Sequence, residues 1–87
     1  MINSIKQDKK EKKMERKLTY IGSDSWGRPV YEDQTGILFV DTYPISGCPM
    51  ELCTKNGNKF DGEPDTPICY TRYSDDTFTV NHRKTWR

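Results

Sequence analysis

LTYIGSDSWGRPVYEDQTGILFVDT, residues 18–42, holds the densest apolar content of the chain. Leu18, Tyr20 and Gly22 alternate with Thr19 and Ile21, the period of two expected of a strand. Gly22-Ser23-Asp24-Ser25 has turn chemistry. Arg28 to Glu32 reads as a second strand, and Pro29, which lacks an N–H, puts its start at an edge or in one-sided pairing. Asp33-Gln34-Thr35-Gly36 predicts a four-residue hairpin loop, with Gly36 free to take positive φ. Ile37-Leu38-Phe39-Val40 is apolar on both faces, which places it centrally in a sheet.

Downstream the pattern is broken up. Residues 43–50, YPISGCPM, read as irregular, and Glu51 to Lys55 as a short strand. Asn56-Gly57 predicts a tight type I′ hairpin returning through Asn58-Lys59-Phe60. Asp61 to Pro67 reads as a rigid loop. Ile68 to Tyr73 and Thr77 to His82, rich in Thr, Tyr, Phe and Val, predict a last hairpin around Ser74-Asp75-Asp76. No internal repeat is evident. Upstream, residues 1–17 read as a basic helical arm, with Ser4 and Gln7 spaced as a capping box. The expectation is a mainly β, or α+β, chain. It has an N-terminal helical arm at 1–17 and one small domain at 18–87. That domain is a twisted antiparallel sheet or partly open barrel of about five to seven short strands.

Composition bounds the function. In 87 residues, 32% are hydrophobic and 31% charged, so much of the core must come from five Tyr, three Phe and two Trp. No run is long and apolar enough for a transmembrane helix, and the N-terminus has no apolar leader segment. A cytoplasmic location in a reducing compartment, with no membrane partner and free thiols, is therefore expected. The net charge of +1 conceals an asymmetry. Residues 1–17 carry +4, residues 18–82 carry −6, and residues 83–87 carry +3.

The chemistry-bearing side chains are few. Cys48, Cys53, Cys69 and His82 would make up a Cys₃His zinc set, but Cys48 and Cys53 are loosely spaced and no second close Cys pair follows. The cysteines are read as small buried or half-buried hydrophobes, and neither metal nor cofactor is expected. The only His, with no phosphate loop or nucleophile elbow, leaves no catalytic residue to nominate, so the chain is read as non-enzymatic. Asp61, Glu63 and Asp65 lack the closing Glu of a calcium loop, and their ordinary role is turn stabilisation. If Asp75 and Asp76 lie beside them, the acids form a negative patch suited to a basic groove on a partner. Trp26, Arg28 and Tyr31 are of the types that anchor interfaces, although Trp26 and Tyr31 could equally pack against the sheet. The alternative partner is nucleic acid. It would be tracked by Lys9, Lys10, Lys12, Lys13, Arg16 and Lys17 in the arm and by Arg83, Lys84 and Arg87 in the tail. Exposed Trp26, Tyr31, Tyr70, Tyr73 and Trp86 would stack bases. The acidic body weighs against that reading.

A longer pattern runs through Tyr20-Ile21-Gly22-x-Asp24-x-Trp26-x-Arg28-Pro29-Val30-Tyr31, Gly36, Leu38, Asp41 and Leu52-Cys53. It ends with Phe60-Asp61-Gly62-Glu63-Pro64-Asp65-Thr66-Pro67-Ile68. It resembles a small uncharacterised domain of phages and conjugative elements of Gram-positive bacteria, found alone or appended to large polyvalent proteins. The resemblance covers roughly residues 20–68 and carries no catalytic assignment. It implies a mobile-element setting, in which small enzyme-free proteins block host proteins such as restriction or CRISPR nucleases. The resulting expectation is a counter-defence inhibitor or modulator. Its partner would be a host protein, with nucleic-acid-processing enzymes as the leading class. Its partner-binding residues would be Trp26, Arg28, Tyr31, Asp61, Glu63, Asp65, Asp75 and Asp76.

Overall fold

The computed structural model describes residues 14–86. Six strands form one open mixed sheet among them: β1 (Glu15–Ser23), β2 (Pro29–Glu32), β3 (Leu38–Asp41), β4 (Leu52–Lys55), β5 (Pro64–Pro67) and β6 (Thr77–Val80). The spatial order is β5-β4-β3-β2-β1-β6, so β5 and β6 are the edges. Neighbours pair antiparallel except β1 and β6, which run parallel with Glu15 opposite Thr77 and Leu18 opposite Val80. The expected mainly β class stands, and among the described residues the only helical elements are short 3-10 turns at Asn56–Asn58 and Ile68–Tyr70.

The alternation of side chains divides the core into two faces. Leu18, Tyr31, Phe39 and Leu52 point to one, where Tyr73 joins them from the segment before β6. Phe39 meets Tyr73 and Phe78 edge to face, with ring centroids at 5.5 and 5.3 Å, the arrangement that aromatic quadrupoles favour. Val30, Leu38, Val40 and Cys53 point to the other face, which Phe60 covers. β3 is buried at all four positions, as its two-sided apolar run requires.

Several expected elements are corrected. The helical arm was expected to reach residue 17, but Glu15, Arg16 and Lys17 are strand; the rest of it, residues 1–13, lies outside the described residues. The reason is Arg16. It alternates with Leu18 onto the inner face and is only 9% exposed. There its guanidinium meets Asp33 at 2.6 Å and Asp76 at 2.7 Å. Two carboxylates offset the desolvation of one cation. The extended 15–18 segment then offers an edge that β6 takes in parallel. The expected hairpin between 68–73 and 77–82 therefore does not form. Ile68–Tyr70 is a 3-10 turn instead, and Tyr73 packs on the core.

The Asn56-Gly57 hairpin is also displaced. Positive φ falls on Gly57 and Asn58, and the Asn58 side chain is committed elsewhere: its Oδ1 accepts from Leu38 N at 2.7 Å and its Nδ2 donates to Gly36 O at 3.0 Å. The chain does not return through 58–60. It leaves the sheet, lays Phe60 over the second face and comes back as β5, with Lys55 opposite Pro64. The stretch expected as a rigid loop thus ends in an edge strand. Prolines at both its ends are compatible with an edge, where a missing N–H costs no ladder bond.

Candidate functional site

Three buried aspartates organise the loops around the sheet. Asp24 and Asp33 open two turns of the same form, D-x-x-G, in which Gly27 and Gly36 take positive φ and donate to the Asp carbonyl oxygens. In the first, Asp24 Oδ1 accepts from the backbone of Trp26 and Arg28, each at 3.0 Å. In the second, Asp33 Oδ1 accepts from Thr35 N at 2.8 Å and Ile37 N at 2.9 Å. The Asp41 carboxylate does the same for Tyr43 and Glu51. Side-chain oxygens here take the place of backbone partners. This short repeated turn is legible in SDSWGRPVYEDQTG once the spacing of Asp and Gly is compared, and the expectation of no repeat overlooked it.

Each aspartate is neutralised. Asp24 Oδ2 meets Lys55 Nζ at 2.6 Å and Arg28 Nε at 3.1 Å, Asp33 meets Arg16, and Asp41 meets Arg83 at 3.5 Å. Burial by itself pushes the Asp24 carboxyl up. The Lys55 ammonium, the Arg28 backbone N–H and the Arg28 guanidinium outweigh it and hold the group below its ordinary value. At Asp33 burial is likewise outweighed, by the Thr35 hydroxyl, the Ile37 N–H and Arg16.

The Asp24 turn projects a surface. Ser25 N donates to Asp61 Oδ1 at 3.0 Å, which joins the turn to the acidic loop before β5. On the same turn the Trp86 indole donates to Gly27 O at 2.7 Å, and Trp86 N donates to Pro44 O at 2.7 Å. Trp26, Trp86 and Tyr43 are 66%, 53% and 46% exposed. Three large aromatic side chains therefore stand open on loops stitched to one another, and Asp61, bonded to the same turn, leads into exposed Glu63 and Asp65. Singly exposed apolar residues are ordinary, whereas clustered ones mark interaction sites.

The other expected site residues fall elsewhere. Tyr31 is fully buried, with its hydroxyl accepting from Lys84 N at 2.9 Å, so it is core rather than an anchor. Asp76 accepts from Met14 N and Arg16 Nε and is tied up internally, while Asp75 is exposed beside it. These two do not join Asp61–Asp65. They lie at the start of β1 and β6, whereas Asp61 bonds the turn beyond the other end of β1, a nine-residue strand about 26 Å long at about 3.3 Å per residue. Among the proposed nucleic-acid contacts, Arg16 is buried in its ion pairs. Arg83 donates to Cys48 O at 2.6 Å and to Ile45 O at 3.3 Å. Lys17 and Lys84 are exposed, Tyr70 is 80% exposed, and Tyr73 is buried. Lys9, Lys10, Lys12, Lys13 and Arg87 lie outside the described residues. The sequence reading missed Trp86 as a member of the Trp26 surface and Lys55 as the buried partner of Asp24.

The cysteines are free, with Cys53 buried, Cys48 half-buried and Cys69 exposed. Burial pushes the Cys53 thiol up, against the Thr42 hydrogen bond. Among the described residues no group of three His, Cys, Asp or Glu side chains is arranged to hold a metal ion. A cavity of about 340 Å³ lies beside β4 and β5, lined by Met50, Leu52, Cys53, Pro67, Ile68 and Cys69. No helix among the described residues is long and apolar enough to cross a membrane. Comparison with protein-family models, with curated proteins and with solved structures gives no significant match.

Proposed function

We propose that the protein is a non-enzymatic binding module that acts on a host protein as an inhibitor or modulator, with the Trp26 turn and the Asp61–Asp65 loop as its contact surface. One observation supports this reading above the rest. Two stretches distant in sequence, one aromatic and one acidic, are joined at Ser25–Asp61 into one exposed surface. Interface anchors are enriched in Trp, Tyr and Arg, and acidic rims steer basic partners. The resemblance to the mobile-element domain supplies the setting. A host nuclease of restriction or CRISPR type, met in the bacterial cytoplasm, is the partner class that fits an acidic surface, because its own groove is basic. The test is a pull-down from a Gram-positive host lysate with the wild-type chain and with Trp26→Ala and Glu63→Lys. One protein retained at stoichiometric level by the wild type and lost by both variants supports the proposal. Recovery of none, or a salt-sensitive shift of bare DNA or RNA by the purified chain, sinks it in favour of a nucleic-acid accessory role.

A further inference from the structure

The two edges of the sheet are not alike. β5 has Pro64 and Pro67 at its ends, and neither can donate to an added strand. β6, TFTV, has no proline and no charged residue, and all four of its residues favour strands. Its backbone is used on one side only. Thr77 N donates to Met14 O at 3.1 Å and Asn81 N to Leu18 O at 3.4 Å. In an extended strand the N–H and C=O of one residue point to the same side, and the side alternates along the chain. The odd-numbered positions of β6 therefore serve β1, and Phe78 and Val80 turn their N–H and C=O outward. β6 ends the strand order, and no described residue bonds to those four groups. Phe78 and Val80 also pack on the cluster around Leu18 and Tyr73 yet stay half-buried. Thr77 and Thr79, on the other face, are exposed.

We propose that β6 pairs antiparallel with β6 of a second copy of this chain, about a two-fold axis at Thr79, joining two six-stranded sheets into one. The register follows from the alternation. Opposed residues must share a face of the joined sheet, and their backbone groups must both turn outward. The register that satisfies both residues of each copy sets Phe78 opposite Val80, twice by symmetry. The two pairs exchange four ladder hydrogen bonds. Each also sets an aromatic ring beside a β-branched side chain on the core face. Thr79 meets its own symmetry mate. Charge selects this occupant and this direction. Asp75 before the strand and Lys84 after it are both exposed. Reversing one copy against the other carries each Asp75 toward the Arg83–Lys84 end of its mate, at both ends of the pairing. A parallel copy would set acid against acid. None of these residues belongs to the Trp26 surface, so the inference stands apart from the proposed function.

The test is sedimentation and amide hydrogen exchange of the full chain over a range of concentrations. The mass is expected to rise from 10.2 kDa toward twice that value. The Phe78 and Val80 amides are expected to gain more protection with concentration than Thr77 and Asn81, which are already bonded to β1. Thr79→Lys and Thr79→Glu alter an exposed side chain at the two-fold axis. Each is expected to associate at least about fivefold more weakly, the scale of a like-charge pair directly across two strands. An equimolar mixture of the two variants is expected to recover the wild-type strength. A chain that stays monomeric overturns the proposal. So do Phe78 and Val80 amides that are equally protected at every dilution, which would mean that another part of the same chain occupies the edge. A dimer that neither variant weakens, or that the mixture does not restore, places the contact elsewhere or in another register and overturns it too.

Discussion

Replacing Asp24 by Asn removes one charge at constant shape and should expose how strongly the fold depends on it. The amide oxygen can still accept from Trp26 N and Arg28 N. The amide nitrogen, however, would face Lys55 Nζ, donor against donor. Lys55 has no exposed side-chain area, and its remaining acceptor is Gly62 O. Removing one partner of a buried ion pair costs about 3–5 kcal/mol, because the other charge stays buried without compensation. A domain of this size has about 4–13 kcal/mol in all. With a urea m-value of about 1–3 kcal/mol/M, the unfolding midpoint should fall by about 2 M. Trp26 and Trp86 give the fluorescence signal, since both report on the turn that Asp24 organises. Adding Lys55→Met should restore most of the loss, as the orphaned ammonium is then gone. A variant within about 0.5 kcal/mol of wild type, or no recovery in the double variant, would show that the cluster is not what holds the 24–28 turn to the 56–63 loop.

Three further outcomes follow from the same structure. Asp24 and Asp33 are held below their ordinary carboxyl value, so each contributes stability that is present above the unfolded value of about 3.9 and is lost as pH falls through the folded one. Urea midpoints should therefore be flat near neutrality and decline below about pH 4; a midpoint that rises in acid contradicts the sign. Gly62→Ala should destabilise by about 1–3 kcal/mol, because the added methyl would run into Asn56 O and crowd Lys59 O. Chemical denaturation checks this, and a neutral result would contradict the close approach of the 56–59 backbone to Gly62. Under native conditions a disulfide reagent should modify Cys69 first and Cys53 last, following exposure and the raised Cys53 thiol. Peptide mapping reads the order, and early loss of Cys53 would refute it.

Much of the sheet was legible because its centre obeys local rules. Ile37 to Val40 is apolar on both faces and lies inside the sheet, and the Pro29 strand and the Asp33 loop sit where period and turn chemistry put them. What was illegible depended on distant partners. Arg16 reads as a solvated helix residue until Asp33 and Asp76, 17 and 60 residues away, meet it in the core. The same pairing brings β6 beside β1, which no local pattern encodes. Asn56-Gly57 carried a strong hairpin signal, but Asn58 had better partners in Leu38 and Gly36, and Phe60 was needed to cover Val30 and Val40. In the candidate site, exposure separated residues of like type. Trp26 stands open while Tyr31, five positions on, is core, because one lies in a turn and the other in an inner strand. The junction of Ser25 with Asp61 was invisible, since nothing in either stretch names the other.

Hydrogen exchange of the chain alone and in complex with its captured partner tests the central claim most directly. The amides of 24–28 and 61–65, with those near Tyr43 and Trp86, should gain protection in the complex, while 72–79 at the far end of β1 and β6 should not change. Protection concentrated at 72–79, or none at 24–28, would contradict the assignment of the Trp26 and Asp61 loops as the contact surface.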